Sequence, residues 1–178
     1  DKVRSYHLLK HLARQHRVFL GTFVDDPDDL QHLHTVRALC AGLHAPRLHP
    51  LRARAASLMG LLRNEPLTLS YYQDQTMCRW VDDLLVNRQV DCALVFSSSM
   101  AQYATDAQVP LWVDFVDVDS AKWTEYAGAH RWPMSWLYGR EGSALLRYER
   151  LVATRADHSF FATDKEAAMF HALAPESA

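Results

Sequence analysis

The chain has 178 residues, of which 49% are hydrophobic and 22% are charged, a composition typical of one globular domain with its own core. No apolar run approaches the roughly 20 residues of a membrane-spanning helix, and residues 1–7 lack the apolar stretch of a signal peptide. The net charge of −2 argues against a nucleic-acid-binding protein. Three separated cysteines, Cys40, Cys78 and Cys92, predict no disulfide framework and a reducing compartment.

The charge is unevenly distributed along the chain. Residues 1–63 carry ten Lys and Arg against five Asp and Glu, whereas residues 64–178 carry nine against sixteen. A basic half of this kind either meets an anionic partner, such as a phosphate, a nucleotide or a lipid headgroup, or is an ordinary solvated face. Within 47–63, four arginines surround apolar residues. That pattern predicts a plain surface helix or a basic amphipathic helix lying on an anionic membrane.

Hydrophobic periodicity predicts alternating helices and strands. Apolar residues at helical spacing predict helices over residues 2–14, 30–40, 52–62 and 73–87. β-Branched and aromatic runs predict strands over 17–24, near 43–49, and over 91–96, 110–118 and 157–162. Residues 119–154 are predicted to be mostly helical, with interruptions at Gly128 and Pro133, and Thr163 and Glu166 have the spacing of a capping box.

This alternation predicts an α/β fold in which a parallel, doubly wound sheet lies between two layers of helices. We expect one domain over residues 1–178. The first strand of such a sheet is normally central, and this chain begins with the helix that should follow it. We therefore expect a fragment whose first strand lies upstream of Asp1.

The segment 113–123 is the most informative part of the sequence. An apolar strand leads into Asp114, Asp117, Asp119 and Lys122, at the edge of a parallel sheet where α/β proteins bind ligands. Three carboxylates so close together repel one another unless a cation, a donor or a proton offsets them. The alternative is a strand end whose acids are solvated or cap the next helix.

Two metal-dependent chemistries use an Asp-x-Asp pattern like that of Asp117 and Asp119. One belongs to haloacid-dehalogenase-like phosphatases, which also need a downstream lysine, for which Lys122 is too near, and a second acidic pair, which does not follow. The other belongs to GT-A glycosyltransferases, in which such acids hold Mn²⁺ on the donor diphosphate. We keep a GT-A enzyme as one alternative and a non-catalytic α/β binding or regulatory domain as another.

Two further stretches are candidates for binding. Ser97, Ser98 and Ser99 close a predicted strand and open a predicted helix, where they form either a simple N-cap or a site for phosphate or hydroxyl groups. The segment 123–140 is dense in Trp and Tyr and contains two arginines. It suits core packing, a sugar platform, a lipid-headgroup rim or a domain interface.

Three segments together resemble the N-terminal half of GT-B glycosyltransferases. They are Asp1–Leu9, Val113–Trp123 and Arg155–Glu166, and the resemblance extends over essentially the whole chain. Within that class the chain is most similar to the sugar transferases associated with bacterial exosortase and PEP-CTERM systems, which are of the retaining family-4 type. In that family the opening helix follows a strand and a loop, and the last two residues of the loop correspond to Asp1 and Lys2.

The resemblance implies one of two Rossmann-like domains that face each other across a cleft. This domain supplies the acceptor side, and a C-terminal domain absent from the fragment holds the nucleotide sugar. The implied activity is hexosyl transfer to a saccharide or lipid-linked acceptor in bacterial exopolysaccharide or glycoconjugate synthesis, with the fragment alone inactive. No metal and no cofactor besides the donor substrate are implied, since helix dipoles and basic residues offset the diphosphate charge.

The resemblance also assigns site residues. Asp117 corresponds to the family's polar residue beyond the strand, where many relatives have histidine, and its carboxylate would orient the acceptor hydroxyl or stabilise oxocarbenium-like charge. We expect a cytoplasmic protein without a nucleic-acid partner, and a peripheral contact with the inner membrane stays open. Taking the resemblance and the residue patterns together, we expect Asp117, Asp114 and Asp119 to be catalytic, and Asp1, Lys2, Arg4, Ser97, Ser98 and Lys122 to bind substrate.

Overall fold

A computed structural model describes residues 2–49, 57, 60–61 and 65–177. The helices with described bounds are α1 (Lys2–Leu12), α2 (Leu33–Leu39), α3 (Leu67–Tyr71), α4 (Gln75–Val86), α5 (Asp119–Ala129), α6 (Met134–Arg155) and α7 (Asp164–Leu173). The strands are β1 (Phe19–Gly21), β2 (Gly42–His44), β3 (Ala93–Phe96), β4 (Leu111–Val116) and β5 (His158–Phe161). Short 3-10 helices lie at Pro27–His32, Ser98–Tyr103 and Pro175–Ser177.

Every pairing between the described strands is parallel. β1 pairs with β2, and β4 lies between β3 and β5 in a second sheet. The fold class is therefore α/β with parallel strands. All five predicted strands are present, four with narrower bounds, whereas β2 begins one residue before its predicted range and ends at His44. The expectation of one continuous sheet differs from the structure. The described strands form two sheets because none of them lies between β1 and β3, which line a common groove.

The core lies on one face of the three-stranded sheet, with β4 at its centre. Val113 and Phe115 alternate with Trp112 along β4, so the first two are buried while Trp112 is exposed on the opposite face. Val152 of α6 and Phe170 of α7 pack against the buried face. These contacts place the carboxyl end of β4 beside the beginning of α5.

Two buried glutamates tie helices together through the unpaired backbone groups of helix starts. Glu141 of α6 accepts hydrogen bonds from the N–H groups of Leu67 and Thr68, at 2.8 and 2.9 Å, at the beginning of α3. Glu149, two turns later in α6, accepts from the hydroxyl of Ser120 at 2.5 Å and from its N–H at 3.3 Å. The second contact fixes the start of α5 directly after β4.

Only one of the two hydrogen bonds of the predicted capping box is found in the described part of the chain. The N–H of Glu166 donates to the Thr163 hydroxyl at 3.2 Å, which satisfies one free donor at the start of α7. The Glu166 carboxylate instead accepts from the N–H of Val118 at 2.9 Å. Glu166 therefore ties α7 to the turn that follows β4.

The arginine-rich helix predicted over residues 52–62 falls outside the described residues, apart from 57, 60 and 61. The structure thus leaves the amphipathic-helix prediction for 47–63 as it stands. In the described part of the chain, no helix has the length and apolar character needed to cross a membrane.

Candidate functional site at the carboxyl edge of β4

The ends of β3 and β4 both contain backbone strain. Val116, the last residue of β4, has a φ of 67°, which is costly for a β-branched residue. Ser97, directly after β3, has a φ of 77°. The pairing of β4 with β5 shifts register between Asp114 and Val116. Strain of this kind concentrates where a chain must aim particular side chains, so this edge is the place to look for a site.

Asp114 forms a two-point ion pair with Arg4, although the two residues are far apart in sequence. The Arg4 Nη2 lies 2.6 Å from Oδ2 of Asp114, and Nη1 lies 3.2 Å from Oδ1, the paired geometry that suits a guanidinium. The Val116 N–H also donates to Asp114 Oδ1, at 3.0 Å, and the guanidinium lies 5.6 Å from the centre of the Phe96 ring. Asp114 is only 4% exposed. Its carboxylate therefore anchors α1 and shapes the strained turn.

Lys122 offsets the charge of the other two predicted acids. Its Nζ lies 2.6 Å from Asp117 Oδ2 and 3.5 Å from Asp119 Oδ1. Burial raises the pKa of Asp119, and the neighbouring Lys122 opposes that rise. Burial alone would lower the pKa of Lys122, but its hydrogen bond to Asp117 and the charge of Asp119 outweigh burial and raise it. The cation that three close carboxylates require is thus supplied by the protein itself, through Lys122 and Arg4.

The predicted residues on α1 lie at the same edge, beside the end of β1. Lys2 Nζ is 2.6 Å from Asp29 and 3.5 Å from Asp25, and both acids follow β1. The hydrogen bond to Asp29 raises the pKa of Lys2 despite the opposing effect of burial. Asp1, the remaining predicted binding residue on this side, lies outside the described residues.

The serine segment opens a helix as predicted, but this helix is the 3-10 helix Ser98–Tyr103, and it begins without the predicted side-chain cap. The Ser97 N–H donates to the Asp114 carbonyl at 2.8 Å. Because this N–H group is already used in the pairing with β4, it is not available to bind an anion. The Ser97 and Ser99 hydroxyls lie 3.1 Å apart. Ser98 is 1% exposed, and its hydroxyl has no hydrogen-bond partner among the described residues, which places it in the interior and not at the rim.

The aromatic segment forms a ring cluster on the α5–α6 hairpin. The Trp123 ring lies 5.4 Å from that of Tyr138 and 6.0 Å from that of Tyr126. Arg140 turns inward, and its guanidinium donates to the Gly60 carbonyl at 3.1 Å. The cluster therefore stiffens the hairpin near the candidate site while leaving the turn between its helices at the surface.

The structure brings together Arg4, Asp114, Asp117, Asp119 and Lys122, with the Ser97 backbone beside them, and we call this set the β4-edge cluster. Within the described ranges, no group of three or more His, Cys, Asp or Glu is arranged to hold a metal ion. Asp117 and Lys122 are both partly exposed, so this pair can form hydrogen bonds to a polar partner. Asp114 and Arg4 position the turn on which those two residues stand.

Glu149 is the residue of this region that sequence reasoning missed. It is fully buried, and burial raises its pKa to about 7, with Ser120 hydrogen bonds and the Asp119 charge acting in opposite directions. Its sequence signal is a carboxyl on the buried stripe of a helix, four residues after Leu145 and three before Val152. A charged residue at such a position is rarely buried without a dedicated partner.

Glu149→Gln should change how stability depends on pH. The folded-state pKa of about 7 lies above the ordinary value of 4.5, so ionisation of Glu149 destabilises the wild-type fold as pH rises through this interval. Glutamine cannot ionise and still pairs with Ser120. The difference in unfolding free energy between the variant and wild type should therefore shift in favour of the variant by about 1 to 2 kcal/mol when the pH is raised from 5 to 8. Urea unfolding at both values measures this, with exposed Glu125→Gln as control; parallel profiles for Glu149→Gln and wild type would contradict it.

Comparisons with known proteins add no relative at this point. No protein-family model matches the chain, and neither a curated protein nor a solved structure matches it.

Proposed function

We propose that this chain is the acceptor-side, Rossmann-like half of a retaining GT-B glycosyltransferase that transfers a hexose from a nucleotide sugar in bacterial exopolysaccharide or glycoconjugate synthesis. The proposal extends the sequence resemblance described above. The observation that carries it is the position of Asp117, partly exposed beyond the carboxyl end of β4 and held by Lys122 at 2.6 Å. In open parallel α/β sheets, ligands bind outside this edge.

The proposed chemistry needs an acceptor hydroxyl placed toward a sugar carbon, with negative and positive charge at fixed positions. The Asp117 carboxylate would accept a hydrogen bond from the acceptor hydroxyl, and its charge would stabilise an oxocarbenium-like transition state. Lys122 lies between the Asp117 and Asp119 carboxylates and offsets their mutual repulsion. Asp114 and Arg4 would act by positioning, because their charged groups already bond to each other.

Each of the three acids forms an ion pair within the protein, Asp114 with Arg4 and the other two with Lys122. This pairing supports metal-independent transfer over the GT-A alternative, in which Asp117 and Asp119 would bind Mn²⁺. The same ion pairs also favour one competing function, a non-catalytic α/β binding domain whose charged groups are purely structural. Localisation in the cytoplasm is part of the proposal, as it follows from the proposed activity and the dispersed cysteines.

Nucleotide release tests the proposed function. The full-length protein, incubated with UDP- and GDP-linked hexoses and a membrane extract as acceptor source, should release nucleotide diphosphate at a rate that a chelator leaves unchanged. Activity that is lost with the chelator and restored by Mn²⁺ would favour the GT-A alternative. Absence of turnover with every donor would favour the binding domain.

A membrane partner is supported by the turn between α5 and α6. Trp132 and Trp136 are 80% and 60% exposed, and Tyr126 lies at the surface nearby. The stretch 126–140 contains Arg131 and no acidic residue. Exposed Trp and Tyr beside a positive charge suit the interface of an anionic bilayer. We therefore propose that this turn brings the acceptor side to a membrane surface, where a lipid-linked acceptor would be available.

Flotation with vesicles checks this contact. The chain should float with phosphatidylglycerol-containing vesicles and not with pure phosphatidylcholine, and added salt should weaken the association. Trp132→Ala combined with Trp136→Ala should abolish most of the flotation, whereas Trp112→Ala, which removes an exposed tryptophan from β4, should retain it. Equal flotation of the double variant and wild type would remove the α5–α6 turn from the proposal.

A further inference from the structure

A groove of about 750 Å³ runs between the two sheets. β1 and β3 both line it, and Leu9 of α1 and Met77 and Trp80 of α4 contribute to its mostly apolar walls. A gap of this kind between two parallel sheets exposes apolar surface and strand edges at once. Proteins rarely leave such edges open.

No described strand pairs with the edge of β1 that faces away from β2. In a parallel ladder, alternate residues bond to one neighbour and the residues between them bond to the other. The N–H groups of Thr22 and Val24 donate to carbonyls at and beyond the end of β2, at 3.0 and 3.1 Å. By the alternation, Phe19, Gly21 and Phe23 direct their N–H and C=O groups away from β2.

The edge of β3 that faces away from β4 is its counterpart. The N–H groups of Ala93 and Ser97 donate to carbonyls on the β4 side, at 2.9 and 2.8 Å. Leu94 and Phe96 therefore direct their backbone groups away from β4, and both residues line the groove. Two strand edges that none of the described strands pairs with thus flank the same apolar space.

We propose that one additional β-strand, parallel to β1 and β3, occupies this groove and joins the two sheets into one. It would pair with Phe19, Gly21 and Phe23 on one side and with Leu94 and Phe96 on the other. Because it would be covered on both faces, it should be apolar throughout, as central parallel strands are. About five residues match the lengths of the strands beside it.

The strand belongs to the same polypeptide and leads directly into α1. The Arg4–Asp114 pair holds the beginning of α1 at the carboxyl edge of β4, and the Lys2–Asp29 pair holds it beside the end of β1. A strand parallel to β1 in the groove would end at this same edge, a short loop away from Lys2. Strand, α1 and β1 would then form an ordinary βαβ unit with a short first connection.

Amide hydrogen exchange on the full-length protein and on the chain 1–178 tests the proposal. The groove-facing amides are those of Phe19, Gly21, Leu94 and Phe96. Their exchange rates are divided by those of the amides in the same strands that already pair with β2 or β4. This ratio should be at least about tenfold lower in the full-length protein than in the shorter chain. Groove-facing amides that stay fast in the full-length protein would overturn it. Protection in the shorter chain that appears only with dimerisation, measured by sedimentation, would also overturn it, because a second copy would then supply the strand.

A pair of proline variants in the full-length protein keeps the test independent of whether the shorter chain folds. Leu94→Pro removes an N–H that faces the groove, and Val95→Pro removes one that faces β4. If the strand is present, both substitutions interrupt a ladder and both should lower the unfolding temperature by comparable amounts. If Leu94→Pro is tolerated while Val95→Pro is not, β3 is an edge strand and the proposal is wrong.

Discussion

Replacement of Arg4 by Met should destabilise the protein by about 3 kcal/mol, because it leaves the Asp114 carboxylate buried with its ion-pair partner removed. Asp114 is almost fully enclosed, and of the groups in the described part of the chain it would retain only the Val116 N–H to stabilise its charge. The loss should also release the beginning of α1 from the carboxyl edge of β4. Urea unfolding at neutral pH gives the change in free energy.

A double-mutant cycle separates the ion pair from general effects of the substitutions. Asp114→Asn alone should also be destabilising, and the double variant should lose at least about 1 kcal/mol less than the sum of the two single variants. Arg155→Met is the matched control, since Arg155 pairs with the exposed Asp106 and such surface pairs contribute less than about 1 kcal/mol. Additive single effects, or an Arg4→Met variant as stable as the control, would show that the pair does not anchor α1.

Local patterns predicted the elements that carry the β4-edge cluster. The apolar run ending in Asp114, Asp117 and Asp119 places acids at a strand end because alternation and turn chemistry act over a few residues. Lys122 lies one helical turn after Asp119, and this short spacing brings its Nζ to both Asp119 and Asp117. The bounds were too wide because hydrogen-bond pairing stops before the apolar character of a strand does.

Other contacts depend on tertiary packing that spacing does not encode. The pairing of Arg4 with Asp114 joins residues 110 positions apart, and no periodicity specifies which cation a buried acid will meet. The serine segment was expected to open a helix with a serine as its cap, but Ser97 has a left-handed backbone and donates to β4, and the 3-10 helix that follows has no side-chain cap. Glu149 could have been found from the sequence as a carboxyl on the apolar stripe of α6. The expected single sheet is not observed, because no described strand fills the groove between β1 and β3.

The central claim is that the carboxyl edge of β4 acts on an acceptor through Asp117, and Asp117→Asn tests it most directly. Asparagine keeps the size of the side chain and removes the charge that Lys122 offsets, so the fold should be retained. In the full-length protein, measured by nucleotide release with the donor that supports turnover, kcat should fall at least about 100-fold while the donor KM stays nearly constant.

Asp106→Asn is the control for that measurement, because Asp106 is exposed and precedes β4 at the opposite end of the strand. It should leave transfer unchanged. An Asp117→Asn variant that folds and transfers sugar as fast as the Asp106→Asn variant would contradict the assignment of a functional site to this edge.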